Sequence, residues 1–256
     1  MTIQKKGIES PFFKNRIGEK WLTYQNYEVE IIEYYGALNC TIKFEDGLIL
    51  KNRIYNHIKK GQIKNPYHPS VQGIGYIGLG EYDAFFNGID TTEYKIWSGI
   101  LERGYSVKWK EKYPTYENVT VCKEWHNFQN FAKWYSENSV PGWDLDKDIL
   151  IKGNKIYSSE NCCFVPPSLN KTFAKRKGKR GDLSIGVTKS NNGFSSFVCI
   201  DGAQTYLGYF KTELEAFNAY KYAKENYLQS LAFSLKGTIK DNVYNALINY
   251  KVEITD

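Results

Sequence analysis

Between Gly142 and Phe173 the chain reads GWDLDKDILIKGNKIYSSENCCFVPPSLNKTF. Carboxylates at Asp146 and Asp148, a hairpin-like turn at Gly153-Asn154, and asparagines at Asn161 and Asn170 follow one another in that order. Asp and Asn side chains offer oxygen donors, which suit a hard divalent cation such as magnesium or manganese. Taken singly, these residues have plainer readings: Asp146 pairs with Lys147 or caps a turn, and Asn161 is an ordinary cap. Lys147 stands inside the cluster; at its ordinary pKa it would be a poor base at neutral pH, although burial can lower that value. His126 is the histidine nearest the motif and could act as the base if its helix packs over the hairpin. Its alternative is an exposed position on the polar face of KEWHNFQNF. His57 and His68 have no carboxylate spacing that suggests a metal site.

Elements that could position these groups are visible on both sides. Tyr94, Trp97, Ile100, Leu101 and Tyr105 recur at three- and four-residue spacing, as do Trp125, Phe128, Phe131, Ala132 and Trp134-Tyr135, so two amphipathic helices precede the motif. The second ends at the breaker Pro141-Gly142. From Tyr27 to Pro66 polar and apolar residues largely alternate, with turns at Gly36 and Glu45-Asp46-Gly47, which predicts a small sheet. ILKNRIYNHIKKG then places Leu50, Ile54 and Ile58 on one side and Lys51, Arg53, Lys59 and Lys60 mostly elsewhere. The Gly-rich piece at 71–88 has no phosphate-loop spacing and reads as strand and linker. Near the end, LSIGVTKS, GFSSFVCID and QTYLGYF are three β-favouring segments separated by Asn191-Asn192-Gly193 and Asp201-Gly202. Thr212 and Glu215 form a capping box before a helical stripe of Ala216, Ala219, Tyr220, Ala223 and Tyr227. A further short helix is expected in IKDNVYNALINYKV.

Composition narrows the partners. The chain has 256 residues, a formal charge of +6 and 16% aromatic residues. Its basic residues cluster: KTFAKRKGKR at 171–180 contains Lys171, Lys175, Arg176, Lys177, Lys179 and Arg180 with no acid, and 51–64 contains Lys51, Arg53, Lys59, Lys60 and Lys64 with no acid. Such runs are solvated surface or phosphate contacts. Five cysteines without a CxxC pair support neither a disulfide framework nor a zinc knuckle and imply a reducing cytosol. The N-terminal MTIQKKGIESPFF lacks an apolar signal core, and no run is long and apolar enough for a membrane span, so a soluble cytoplasmic protein is expected.

The segment IGVTKSNNGFSSFVCIDGAQTYLGYFKTELEAFNAYKYA at 185–223 resembles the Apetala/ERF-type DNA-binding domain. Leu207-Gly208, Phe210-Lys211-Thr212, Ala216, Ala219 and Tyr220 carry the likeness. The resemblance implies a three-stranded sheet whose open face enters the major groove, with exposed positions among Lys189, Phe194, Ser196, Val198, Gln204 and Tyr206 facing DNA. The arginines usual on that face are largely missing. Residues 94–173 resemble phage-encoded HNH endonucleases of the homing type through YKIWSGILERGYS, VCKEWHNFQNFAKW, LDKD and YSSENCCFVPPSLN.

That second resemblance implies an HNH-like ββα-metal centre, a hairpin followed by a helix around one magnesium or manganese ion. Asp146 and Asn170 take the ligand places, Asn161 takes that of the Asn tying loop to helix, and Lys147 stands where the family carries its basic His. Lys147, Asp148 or His126 would assist the water or the leaving group. Asn87-Gly88 replaces a frequent His-Gly, and Arg103-Gly104-Tyr105 replaces Arg-Cys-Tyr. The expected architecture is α+β in three modules: a basic β-rich unit at 1–86, the HNH-like centre at 87–180 and the Apetala-type unit at 181–256. The implied function is hydrolysis of phosphodiester bonds in double-stranded DNA, in the host cytoplasm if the chain is phage-encoded. The alternatives are a catalytically degenerate DNA-binding regulator and an interaction protein directed at a host protein.

Overall fold

The computed structural model describes residues 15–173 and 182–256. The chain mixes helices and strands and divides into two compact units, Met1–Gly80 and Glu81–Asp256.

The first unit is an antiparallel meander of β1 (Lys20–Leu22), β2 (Glu28–Tyr34), β3 (Cys40–Phe44) and β4 (Ile49–Arg53), followed by α1 (Tyr55–Lys59). Alternation along β2 and β3 sends Val29, Ile31, Cys40, Ile42 and Phe44 to one face, where they pack with Leu50, Ile58 and Ile63. The basic stretch after Leu48 is part strand and part helix: Leu50 is buried from β4, and only Ile58 is buried from α1. Asn52 adopts φ 57° between them, so a single continuous helical face does not form.

The second unit starts with the hairpin β5 (Phe85–Phe86) and β6 (Ile89–Asp90), joined by Asn87 and Gly88 at φ 50° and 77°. Positive φ at both central residues gives Asn87-Gly88 a turn-forming role. The helices α2 (Thr92–Tyr105), α3 (Val107–Lys112) and α4 (Phe128–Asn138) follow, with β7 (Thr120–Val121) between α3 and α4. Their aromatic stripe is core: Trp97, Phe128 and Phe131 are fully buried, and Trp97 donates its indole N–H to the Trp125 carbonyl at 2.7 Å. Gly104 lets α2 approach β7, since a Cβ there would already sit 3.3 Å from Val121.

Next come β8 (Asp144–Asp146), β9 (Ile156–Tyr157), β10 (Cys163–Val165) and the short α5 (Pro167–Thr172). The chain ends in the meander β11 (Val187–Ser190), β12 (Gly193–Ile200) and β13 (Ala203–Phe210), then α6 (Glu213–Ser234) and α7 (Asp241–Ile248). Thr212 and Glu215 close the expected capping box on α6. At Gly186 the backbone turns at φ 77°, and a Cβ would come 2.1 Å from the Tyr220 ring, so the sheet meets α6 there only through glycine.

The middle and last sequence modules share one core. Ile149, Cys163, Val165 and Leu169 pack with Leu228, Ala232, Ile239, Val243 and Leu247. That explains why the described chain after Gly80 forms one unit: the far half of α6 and α7 bury their apolar sides on β10 and α5.

Candidate functional site

Strand β8 pairs antiparallel with β10, and α5 begins two residues after β10 ends. The register sets Asp144 opposite Val165, Leu145 opposite Phe164 and Asp146 opposite Cys163. Asp144 and Asp146 therefore share one side of the ribbon, two residues and roughly 7 Å apart along the strand. Since α5 springs from the Val165 end, its first turn lies near Asp144. Asn170 donates its amide N–H to the Asp144 carboxylate at 3.1 Å.

Asn170, expected to share a metal ion with Asp146, makes its described hydrogen bond to Asp144. Asp146 itself caps the turn that ends β8: its Oδ1 accepts from the backbone N–H groups of Asp148 at 2.6 Å and Ile149 at 2.7 Å. Burial holds its carboxyl above the usual aspartate range, against the lowering effect of those two N–H donors.

Lys147 is engaged in structure. Its side chain is buried, and Nζ donates to Asp148 at 2.6 Å and to the Asn154 carbonyl at 3.0 Å. The lysine thereby ties the end of β8 to the loop, and both bonds hold its Nζ in a structural role there. Asp148 is exposed and bound to that lysine.

The loop between β8 and β9 is organised by Asn154. Its amide donates to the carbonyls of Lys147 and Ile156, both at 2.8 Å, and its oxygen accepts from Ile156 N–H at 3.1 Å and from the Asn161 amide at 3.2 Å. Asn161, expected to tie the loop to the helix, instead makes its side-chain bond to Asn154. The adjacent thiols are closed off: burial raises Cys162 and pushes Cys163 up to about 12, which keeps both protonated at neutral pH.

His126 lies in a short 3-10 turn before α4, where Nε2 is 3.0 Å from the Tyr105 hydroxyl and 3.2 Å from the Val121 carbonyl. No described hydrogen bond or ion pair joins it to Asp146, Lys147, Asp148 or Asn161, so it has a partner of its own in the α2–β7 junction.

The nucleic-acid residues divide. Lys59, Lys60, Lys51, Lys64 and Lys171 are exposed, while Arg53 is half-buried with an Nε that lacks a hydrogen-bond partner. Lys175, Arg176, Lys177, Lys179 and Arg180 lie outside the described residues. On the sheet, Ser196 is fully buried and Val198 belongs to the core under α6, so neither reaches a ligand on the open face. Phe194 also packs on that core, with the exposed Lys189 ammonium 4.2 Å from its ring centroid. Gln204 and Tyr206 are exposed on the opposite face. The cause is strand parity: Phe194, Ser196 and Val198 share one side of β12, and that side faces the helix.

Three residues outside the expected set matter here. Asp144 and Asn154 stand in the motif, the first as the other half of an Asp-x-Asp pair that a strand must present on one face. Lys224 lies in the buried i, i+4 row Tyr220, Leu228 and Ala232 of α6. An apolar row interrupted by lysine signals a buried cation that needs a carbonyl. Its Nζ donates to the Thr172 carbonyl at the end of α5 at 2.7 Å, and burial lowers its pKa.

Against this geometry, no protein-family model, no curated protein and no solved structure matches the chain. Among the described residues, no group of three or more His, Cys, Asp and Glu side chains is arranged to hold a metal ion. No described helix is long and apolar enough to cross a membrane.

Proposed function

We propose that the chain is a DNA-binding protein with an HNH-like centre that hydrolyses phosphodiester bonds with one divalent ion held by Asp144 and Asn170. The observation that supports this reading best is the 3.1 Å contact between the Asn170 amide and the Asp144 carboxylate, which brings a strand donor and a helix donor together. The donors fit magnesium or manganese: magnesium keeps several waters and takes one or two carboxylates together with substrate phosphate oxygens. When bound, such an ion would polarise the scissile phosphate and stabilise the departing oxygen. Asp144 supplies charge, and Asn170, once its N–H bond to Asp144 is given up or shared, supplies an amide oxygen. Asp146 holds the β8 turn through Oδ1 and offers Oδ2 as a proton acceptor for the attacking water. Lys147 keeps the loop closed.

Incubating supercoiled plasmid with the full chain should give nicked or linear product with magnesium or manganese and none with a chelator. A second reading, a DNA-binding regulator that does not cut, is favoured by the engagement of Lys147 with Asp148 and the Asn154 carbonyl. Retained DNA binding with intact plasmid under every metal condition would select it.

Binding itself should be salt-dependent, because each phosphate neutralised by a lysine or arginine releases condensed counterions. Replacing Lys59, Lys60 and Lys64 together by Ala should weaken duplex binding uniformly across sequences. It should also reduce the magnitude of the log K against log salt slope by about 0.9 for every phosphate no longer neutralised. An unchanged slope in a salt titration would remove this surface from the DNA interface.

A further inference from the structure

The three-stranded sheet buries one side on α6 and leaves the other exposed. Along β12, Phe194, Ser196, Val198 and Ile200 face α6, so Ser195, Phe197 and Cys199 lie on the other side, where Ser195 is buried, Phe197 half-buried and Cys199 exposed. Strand β13 adds a bulge: Ser196 pairs with Gly208 and Phe197 with Tyr206, leaving Leu207 unmatched. The extra residue shifts the side-chain phase, so that Tyr206 and Tyr209, three residues apart, stand on the same outward face.

The result is an aromatic surface. Phe197 and Tyr206 have ring centroids 5.3 Å apart, and Tyr206 and Tyr209 are 57% and 50% exposed. The hydroxyl end of Tyr209 sits over Gly193, where an added Cβ would come 2.4 Å from its oxygen, so the ring reaches over β12 only because that position is glycine.

The outward face carries no acidic side chain from the three strands: their one charged residue, Lys189, stands opposite Phe194 on the α6 side, and exposed Lys211 follows β13 directly. The nearby acids are engaged: Asp201 accepts from the Tyr227 hydroxyl at 2.9 Å, and Glu213 accepts from the Ser184 hydroxyl at 2.6 Å. Reading base edges in a duplex calls for guanidinium or amide groups. Here the outward face offers Gln204 and three rings.

We propose that Phe197, Tyr206 and Tyr209 form a stacking platform for unpaired bases of single-stranded or locally opened DNA. Rings stack on any base because every base has a π-face, so the platform binds without strong sequence preference. This inference rests on the DNA-binding reading above and is independent of cleavage.

The test uses the full chain in chelator, with fluorescent oligo(dT) and a blunt duplex as separate probes read by anisotropy. Tyr206→Ala combined with Tyr209→Ala should weaken oligo(dT) binding about tenfold or more and leave duplex binding close to wild type. Tyr206→Phe should retain single-strand affinity, because it keeps the ring. A bromouracil-substituted strand should photocrosslink at Tyr206 or Tyr209. Unchanged oligo(dT) affinity in the double variant, or an equal loss on both probes, overturns the platform while leaving the DNA-binding reading in place. Failure of the wild-type chain to bind either probe overturns both.

Discussion

Asp144→Asn should abolish metal-dependent cleavage while duplex affinity, measured in chelator, stays close to wild type. The substitution keeps an oxygen to accept the Asn170 N–H and removes only the negative charge, so packing at the β8–α5 junction is preserved. Loss of a supporting outer-shell partner at a metal site already costs roughly 10–100-fold in affinity or activity. Loss of a direct carboxylate ligand should exceed that, and excess manganese should recover little. Binding survives because phosphate contacts elsewhere position the duplex. Asp146→Asn provides the contrast. Its amide oxygen can still accept from Asp148 and Ile149, so the turn holds, and the defect should appear in the pH–rate profile more than in metal dependence. Near wild-type cutting by Asp144→Asn in a plasmid-nicking time course would remove Asp144 from the metal site and return the ligand role to Asp146.

Local signals carried much of the architecture. Asn191-Asn192-Gly193 and Asp201-Gly202 mark the two hairpin turns of the last sheet, and the Thr212–Glu215 box marks the start of α6. The aromatic stripe at 94–105 is helical, and that at 125–135 is helical from Phe128, Trp125 belonging to the 3-10 turn before it; Trp97, Trp125, Phe128 and Phe131 are buried. Each of these features is decided within a few residues, by φ preference or by side-chain spacing.

What the sequence did not disclose depends on pairing across longer distances. Whether Asn170 meets Asp144 or Asp146 is set by which residue of β10 stands opposite each, a register that residue types alone leave open. The outward face of the last sheet turns on the unmatched Leu207. Counting alternate residues along one strand cannot reveal that Tyr206 and Tyr209 share a side. The boundary drawn between the middle and last modules has a similar origin. Leu228, Ala232, Val243 and Leu247 read as ordinary apolar helix positions, and their packing on Val165 and Leu169 is what joins the last module's core to the middle one.

Asn154→Ala should be the most destabilising polar substitution in the candidate site, and Asn161→Ala much the milder of the two. Asn154 serves four hydrogen bonds at once, spanning Lys147, Ile156 and Asn161. Truncating it strands the part-buried Lys147 carbonyl, and a buried group left unsatisfied costs about 1–3 kcal/mol. The Ile156 carbonyl sits in an exposed bond that water replaces, so the loss should be about 2 kcal/mol. For a unit of this size that corresponds to a fall in Tm on the order of 5 °C. Asn161 gives up one side-chain bond, worth about 1 kcal/mol. Lys147 feels the first change directly, since its Nζ donates to the Asn154 carbonyl and its own carbonyl accepts from the Asn154 amide. Released from that clasp, β8 should lose its register with β10, and amide exchange at Leu145 and Phe164 should accelerate. Thermal melts that rank Asn161→Ala as the more damaging would transfer the organising role to Asn161 and reinstate it as the residue that ties the loop together.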